Sequence, residues 1–191
     1  MKTNIARVLA VGVALGLLAV TPQTTAMAGT EDRAAASTKA ELAGNPLLHR
    51  QAESTAELQE QIDLHLQLAP GGDQTAPNEI TYGDDTFVVT YALPNQRQLA
   101  SPDYPEGRFC FYDGQNYVYP RGALSDCGYQ DLHDFGWSDR TSSVDNGTSS
   151  NVRYYNHLDS GPQLLFTNTA GNHGSLSGTN NNRADHVNRI C

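Results

Sequence analysis

The sequence predicts an all-β C-terminal domain, a sandwich of two Greek-key motifs, preceded by a short helix and a β-hairpin. Three observations carry that prediction. From residue 101 the composition turns to aromatics, Gly, Asn, Asp and Ser, and helical periodicity never lasts beyond a turn or two. Short β-prone runs at 108–112, 117–119, 152–155 and 163–167 alternate with turn formers, as in sandwiches and barrels. The stretch also repeats itself. Slid by 43 residues, Phe109-Cys110-Phe111-Tyr112 faces Val152-Arg153-Tyr154-Tyr155, and the segment from Trp137 to Val144 faces the one from Asn180 to Val187. Tyr112/Tyr155, Gly128/Gly171, Arg140/Arg183 and Val144/Val187 coincide without a gap. An aromatic strand opens each unit and a polar turn ending in Val closes it. A unit of about forty residues with four short strands is the size of one Greek key, and two of them make a sandwich.

The elements before the repeat follow in order. Residues 1–28 read as a signal peptide: Lys2 and Arg7 make a basic start, 8–20 form an apolar run of 13 residues, and Ala26-Met27-Ala28 offers a cleavage site. Thirteen apolar residues fall short of the roughly 20 that span a bilayer. The expected product is therefore secreted, with no membrane attachment after cleavage. Residues 29–53, rich in Ala, Ser, Thr and Gly, read as a flexible lead-in. Residues 54–100 form an accessory segment. Ser54 and Glu57 make a capping box, Leu58, Ile62 and Leu66 share one helical face, and Ala69-Pro70-Gly71-Gly72 ends the helix. Runs at 79–82 and 86–93, split by Gly83-Asp84-Asp85, signal the hairpin. This segment is either a subdomain packed on the rest or a pro-segment that assists secretion. Residues 101–191 hold the duplicated domain.

Charge and cysteines bound the function. Without Lys2 and Arg7 the chain keeps 10 basic against 21 acidic residues, which disfavours nucleic acid as a partner. Three cysteines remain, Cys110, Cys127 and Cys191. In an oxidising compartment one disulfide is expected with one thiol left over. Three pairings are possible. Cys110–Cys127 closes the shortest loop, where loop entropy predicts about 3 kcal/mol of stabilisation, and leaves Cys191 free or joined to another chain.

Catalytic signatures are missing: the sequence has no H-E-x-x-H helix, no G-x-S-x-G elbow and no phosphate loop. His133-Asp134 and the neighbours Asp185-His186 could be drawn as acid–base pairs, but His and Asp in turns ordinarily cap backbone groups or meet solvent. Cys191 has no activating base in view. The chain is expected not to be an enzyme. Trp137 reads either as an exposed anchor or as a core plug, and Asn146-Gly147-Thr148 matches a glycosylation sequon.

The aromatic opening strand and the turn after Gly136-Trp137 resemble a βγ-crystallin motif, whose turn is two Asn/Asp, two free positions, Ser/Thr, then Ser. Ser138-Asp139-Arg140-Thr141-Ser142-Ser143 departs at the first place; Asn181-Asn182-Arg183-Ala184-Asp185-His186 departs at the last two. The segments from Gly107 to Asp113 and from Gly136 to Val144 are similar to secreted actinobacterial proteins of the peptidase-inhibitor family typified by the Streptomyces metalloproteinase inhibitor (peptidase inhibitor family thirty-six). The resemblance covers about half the chain. It implies a βγ-crystallin-like sandwich, an extracellular peptidase as partner, and a monomer that works without a required cofactor. Calcium is the cation it allows, at Asp139, Ser142, Asn182 and Asp185, since hard oxygen ligands suit that ion. Relatives often begin this domain with Cys-Pro, where this chain has Tyr104-Pro105. The best-known inhibitor braces its reactive bond with a nearby disulfide; no second cysteine braces such a loop here, so no inhibitory loop carries over. The alternative class is a βγ-crystallin-type calcium-binding or wall-associated structural protein.

Overall fold

The computed structural model describes residues 28–97, 101–102 and 105–191, so the expected signal peptide lies outside the described residues apart from its last position. Residues 29–53, expected to be flexible, are ordered into elements. Helix α1 spans Ala28–Ala43, and a 3-10 turn, Pro46–His49, is capped by Asn45, whose Oδ1 accepts the Leu47 amide at 3.0 Å. Alanine is the best intrinsic helix former, so a composition that looks featureless by hydrophobic pattern still favours a helix. Leu48 of the 3-10 turn is fully buried.

Helix α2, Thr55–Leu68, begins where the capping box was read: the Ser54 Oγ accepts the Glu57 amide at 3.2 Å. The Glu57 carboxylate reaches back one residue further than the motif requires, to the Glu53 amide at 2.6 Å. Three short strands follow, β1 Asp73–Ala76, β2 Glu79–Tyr82 and β3 Phe87–Thr90. The hairpin read from Gly83-Asp84-Asp85 is β2–β3, with Ile80 opposite Val89.

The duplicated region contributes β4 Phe109–Tyr112, β5 Arg121–Leu124, β6 Gly128–Asp131 and β7 Ser143–Asn146, then β8 Asn151–Leu158, β9 Gly161–Asn168, β10 His173–Ser175 and β11 His186–Ile190. One sheet runs β1-β2-β3-β5-β4-β7-β10 and the other β6-β11-β8-β9. Each unit therefore sends its third strand, β6 or β10, into the sheet of the other unit. The 43-residue offset is kept in the register: Phe111 opposes Val144 between β4 and β7, and Tyr154 opposes Val187 between β8 and β11. Gly128 and Gly171 both take positive φ, 85° and 70°, which a side chain would resist.

The accessory segment is built into the sandwich. Strand β3 pairs with β5, so the first sheet continues across residue 101 without a break. Leu58, Ile62 and Leu68 of α2 join Phe87, Phe109, Phe111, Trp137, Val152, Tyr154 and Val187 in one core.

The expected Cys110–Cys127 disulfide is not made. Cys127 pairs with Cys191, and Cys110 is buried outside the disulfide. The reason is topological. Cys110 sits mid-strand among Ala92, Tyr112, Tyr119 and Ala123 on the first sheet. Cys127 precedes β6, and β11 pairs with β6 with Arg189 opposite Gly128, which brings the last residue to it. Loop length favoured the shortest closure but carries no information on which sheet each cysteine joins.

Candidate functional site

The two polar turns meet at the end of the sandwich and hold each other reciprocally. The Asp139 amide donates to the Ala184 carbonyl at 3.1 Å, and the Asn182 amide donates to the Thr141 carbonyl at 2.9 Å. Those two bonds are related by the 43-residue offset. So are the bonds from Arg140 Nη1 to the Gly136 carbonyl and from Arg183 Nη1 to the Thr179 carbonyl. Asp139 and Asn182 are both left-handed, at φ 58° and 51°, a conformation that Asp and Asn tolerate better than most residues.

The four residues expected to ligate calcium separate into two pairs. Ser142 Oγ donates to Asn182 Oδ1 at 2.6 Å, so these two side chains satisfy each other. Asp139 and Asp185 line a cavity of 410 Å³ with Asp131, His133, Ser138, Asn156, His157 and His186. Asp185 accepts the His157 amide at 2.7 Å and Asp131 accepts the His133 amide at 2.9 Å. Partial burial pushes the Asp139 carboxyl above its ordinary range, helped by the Asp185 charge, while Arg183 pulls it down. Among the described residues no three His, Cys, Asp or Glu side chains converge as a metal site.

His186, on β11, is 1% exposed although it belongs to the outward face of its sheet. The rings of Tyr129, Tyr155 and His157 surround it at 4.8, 5.4 and 6.0 Å between centroids. Its Nε2 is buried without a hydrogen-bond partner. Burial pushes its pKa down against the pull of Asp131 and Asp185, which favours the neutral imidazole.

Several residues that sequence reasoning passed over hold the site's framework. Arg140, 4% exposed, donates to the Leu48 carbonyl, the Gly136 carbonyl and Asp113 Oδ2, and lies 4.5 Å over the Trp137 ring. His49 Nδ1 meets the same Asp113 oxygen at 2.7 Å. Trp137 is wholly buried, edge-on to Phe111 at 5.3 Å, so the core-plug reading holds. His65 of α2 is fully buried, with Nδ1 2.9 Å from the Tyr91 hydroxyl and Nε2 3.1 Å from the Phe135 carbonyl. A carbonyl only accepts, so Nε2 carries the proton and Nδ1 accepts from Tyr91. The signal available for His65 was its place one turn after Ile62 and Gln61 on the inward face of α2. Asn146 of the sequon is buried, and its amide donates to the Ser150 and Asn168 carbonyls.

Comparison with known proteins finds similarity over part of the chain. Residues 100–162 match the model of peptidase inhibitor family I36. That match begins one residue before the predicted domain and covers β4 through most of the β8–β9 hairpin. Among solved structures, a single-residue mutant of a βγ-crystallin domain from Clostridium beijerinckii aligns at 17% identity and a TM-score of 0.37, covering 43% of this chain and 95% of that one. No curated protein matches this chain.

Proposed function

We propose that this chain is a secreted proteinaceous inhibitor of an extracellular metallopeptidase, acting by occlusion of the cleft. The observation that carries the reading is the match of residues 100–162 to a peptidase inhibitor family, which also agrees with a role outside catalysis. Occlusion calls for a preorganised surface. A rigid surface binds with less loss of conformational freedom than a flexible one. Here rigidity comes from a seven-stranded sheet continuous with α2's packing, from the reciprocal turn bonds, and from the Cys127–Cys191 bond that ties the last strand down. Protease–inhibitor contacts bury about 1,600 Å² in total and are among the tightest known.

The test is a titration of the mature chain into a thermolysin-like peptidase. A linear loss of activity that ends at one inhibitor per enzyme supports the reading. Full activity at micromolar protein across several such enzymes removes it. Calcium is the second reading, supported by the pair of carboxylates, Asp139 and Asp185, on one cavity. It predicts a rise in Tm with millimolar calcium, since a ligand at 100 times its Kd adds about 2.7 kcal/mol.

A further inference from the structure

His49, in the 3-10 turn between α1 and α2, lies between two acceptors. Its Nδ1 is 2.7 Å from Asp113 Oδ2, and its Nε2 is 2.8 Å from the Ala43 carbonyl oxygen. A carbonyl and an ionised carboxylate only accept, whereas a neutral imidazole has one donor and one acceptor. The imidazolium, with a proton on each nitrogen, is the one form that satisfies both contacts. Asp113 is ionised in this setting. Burial pushes its carboxyl up, but the hydrogen bond from His49 and the Arg140 charge outweigh burial and hold it below its ordinary range. The other contact is the end of α1. Ala43 is the last residue of that helix, where the dipole is negative and a cation is favourable. The helix has no basic residue of its own in that turn and carries Glu41 there. Its packing is thin: Leu42, its one large apolar side chain, is half-buried against the core. Ala36, Ala40 and Ala43 share a cavity of 220 Å³ with Leu68 and Gly136 of the body.

We infer that His49 is a proton-operated clamp that docks α1 on the sandwich, and that loss of its proton releases the helix. A neutral ring must give up one of the two contacts. Nδ1 keeps its proton, because a hydrogen bond to a carboxylate is roughly twice as strong as one to a neutral carbonyl. The bare Nε2 then sets its lone pair against the Ala43 oxygen, and α1 loses its anchor. The neighbouring charges are committed elsewhere. Arg140 holds the same Asp113 oxygen through Nε and Nη2 at 3.1 and 2.9 Å and stays its partner, while Arg50, next in the chain, is turned to Glu57. On α1 itself, Lys39 lines the cavity beside Ala43, and Glu41 is an anion that the negative helix end disfavours. Histidine changes charge between about pH 5 and 8, so the clamp is closed in mild acid and open in mild base. Undocking uncovers His133 and Ser138, which also line the cavity between the turns. The device does not rest on the inhibitor reading, and its test involves no peptidase.

The experiment is NMR of the mature protein from about pH 5.5 to 8.5, across the histidine range. Carbon-detected carbonyl and Cα shifts report α1, and long-range proton–nitrogen spectra report the His49 ring. At the acid end both ring nitrogens are expected to carry protons, with helical shifts over residues 36–43. As the ring titrates, those shifts are expected to move toward coil at the same midpoint. The ratio of undocked to docked helix rises about tenfold or more, the worth of one charged hydrogen bond. Shifts at the buried Val89 and Tyr154 stay in place, which separates release of α1 from unfolding. His49→Gln cannot titrate, and its α1 shifts are expected to stay flat across the range, with core shifts matched to wild type. Three results overturn the proposal: a single protonated ring nitrogen at the acid end, α1 shifts that ignore the His49 titration, or an α1 response to pH that survives in His49→Gln.

Discussion

His65 makes acid stability a quantitative test of the fold. Burial, with the Arg140 charge adding to it, pushes this imidazole down to about 3 from its ordinary 6.5, while the bond to the Phe135 carbonyl works the other way. The direction follows from linkage. Below pH 6.5 the unfolded chain takes up a proton at His65 that the folded chain refuses, so stability falls as pH drops from 6.5 toward 3 and is complete above 6.5. At 1.36 kcal/mol per pH unit, His65 alone removes about 2 kcal/mol by pH 5 and about 4 kcal/mol by pH 3. Against a domain stability of about 5–15 kcal/mol that is a large share. Urea unfolding followed by the fluorescence of Trp137, the sole tryptophan and fully buried, measures it. His65→Gln keeps a donor and an acceptor but cannot titrate. Between pH 7.5 and 5 the wild-type chain is expected to lose about 2 kcal/mol more than the variant. Asp145, whose carboxyl burial pushes up to about 6, works in the opposite sense: it loses stability as pH rises through its range. It is present in both chains and drops out of the difference. Parallel pH profiles for the two proteins would refute the placement of a neutral, buried His65.

Further outcomes follow from the same geometry. Cys191→Ser opens a closure of 64 residues and is expected to cost about 4 kcal/mol by loop entropy, read as a fall in Tm that reductant reproduces in the wild type. Arg140→Ala strips the buried Asp113 of its guanidinium and is expected to cost about 3–5 kcal/mol in urea unfolding. Arg183→Ala, at the offset-related and less buried position, is expected to cost under about 1 kcal/mol. Gly122→Ala places a Cβ 2.4 Å from Phe111 Cε2, so the ring must move, with an expected loss of about 1–3 kcal/mol. A chain truncated to begin at residue 101 loses β3 from the edge of β5, and α2 together with Phe87 from the core around Phe111; it is expected to show no cooperative thermal transition.

The parts legible in the sequence were those with local or periodic signals. The 43-residue offset made Phe111 equivalent to Tyr154 and Val144 to Val187, an equivalence the strand registers keep, and Gly83-Asp84-Asp85 marked the β2–β3 hairpin. Ser54 and Glu57 marked the start of α2. The β3–β5 pairing carries no local mark, so the hairpin's membership in the main sheet was hidden until the topology was known. The same blindness explains the cysteines: loop length is a sequence property, whereas the meeting of Cys127 with Cys191 depends on β11 lying between β6 and β8. At the turns, the motif located Asp139 and Asn182, both left-handed, yet could not show that Ser142 and Asn182 bind each other. His186 stood in the motif's last place, where its departure from Ser read as degradation rather than as the wall of a cavity.

Occlusion is the central claim, and competition at the peptidase active site tests it most directly. A thermolysin-like peptidase is titrated with the mature chain in the presence of increasing amounts of a small zinc-chelating active-site inhibitor. Occlusion predicts that the apparent affinity of the chain falls in proportion to occupancy by the small inhibitor, with the two never bound together. Undiminished binding of the chain to an enzyme whose active site is already filled would contradict it and place the contact outside the cleft.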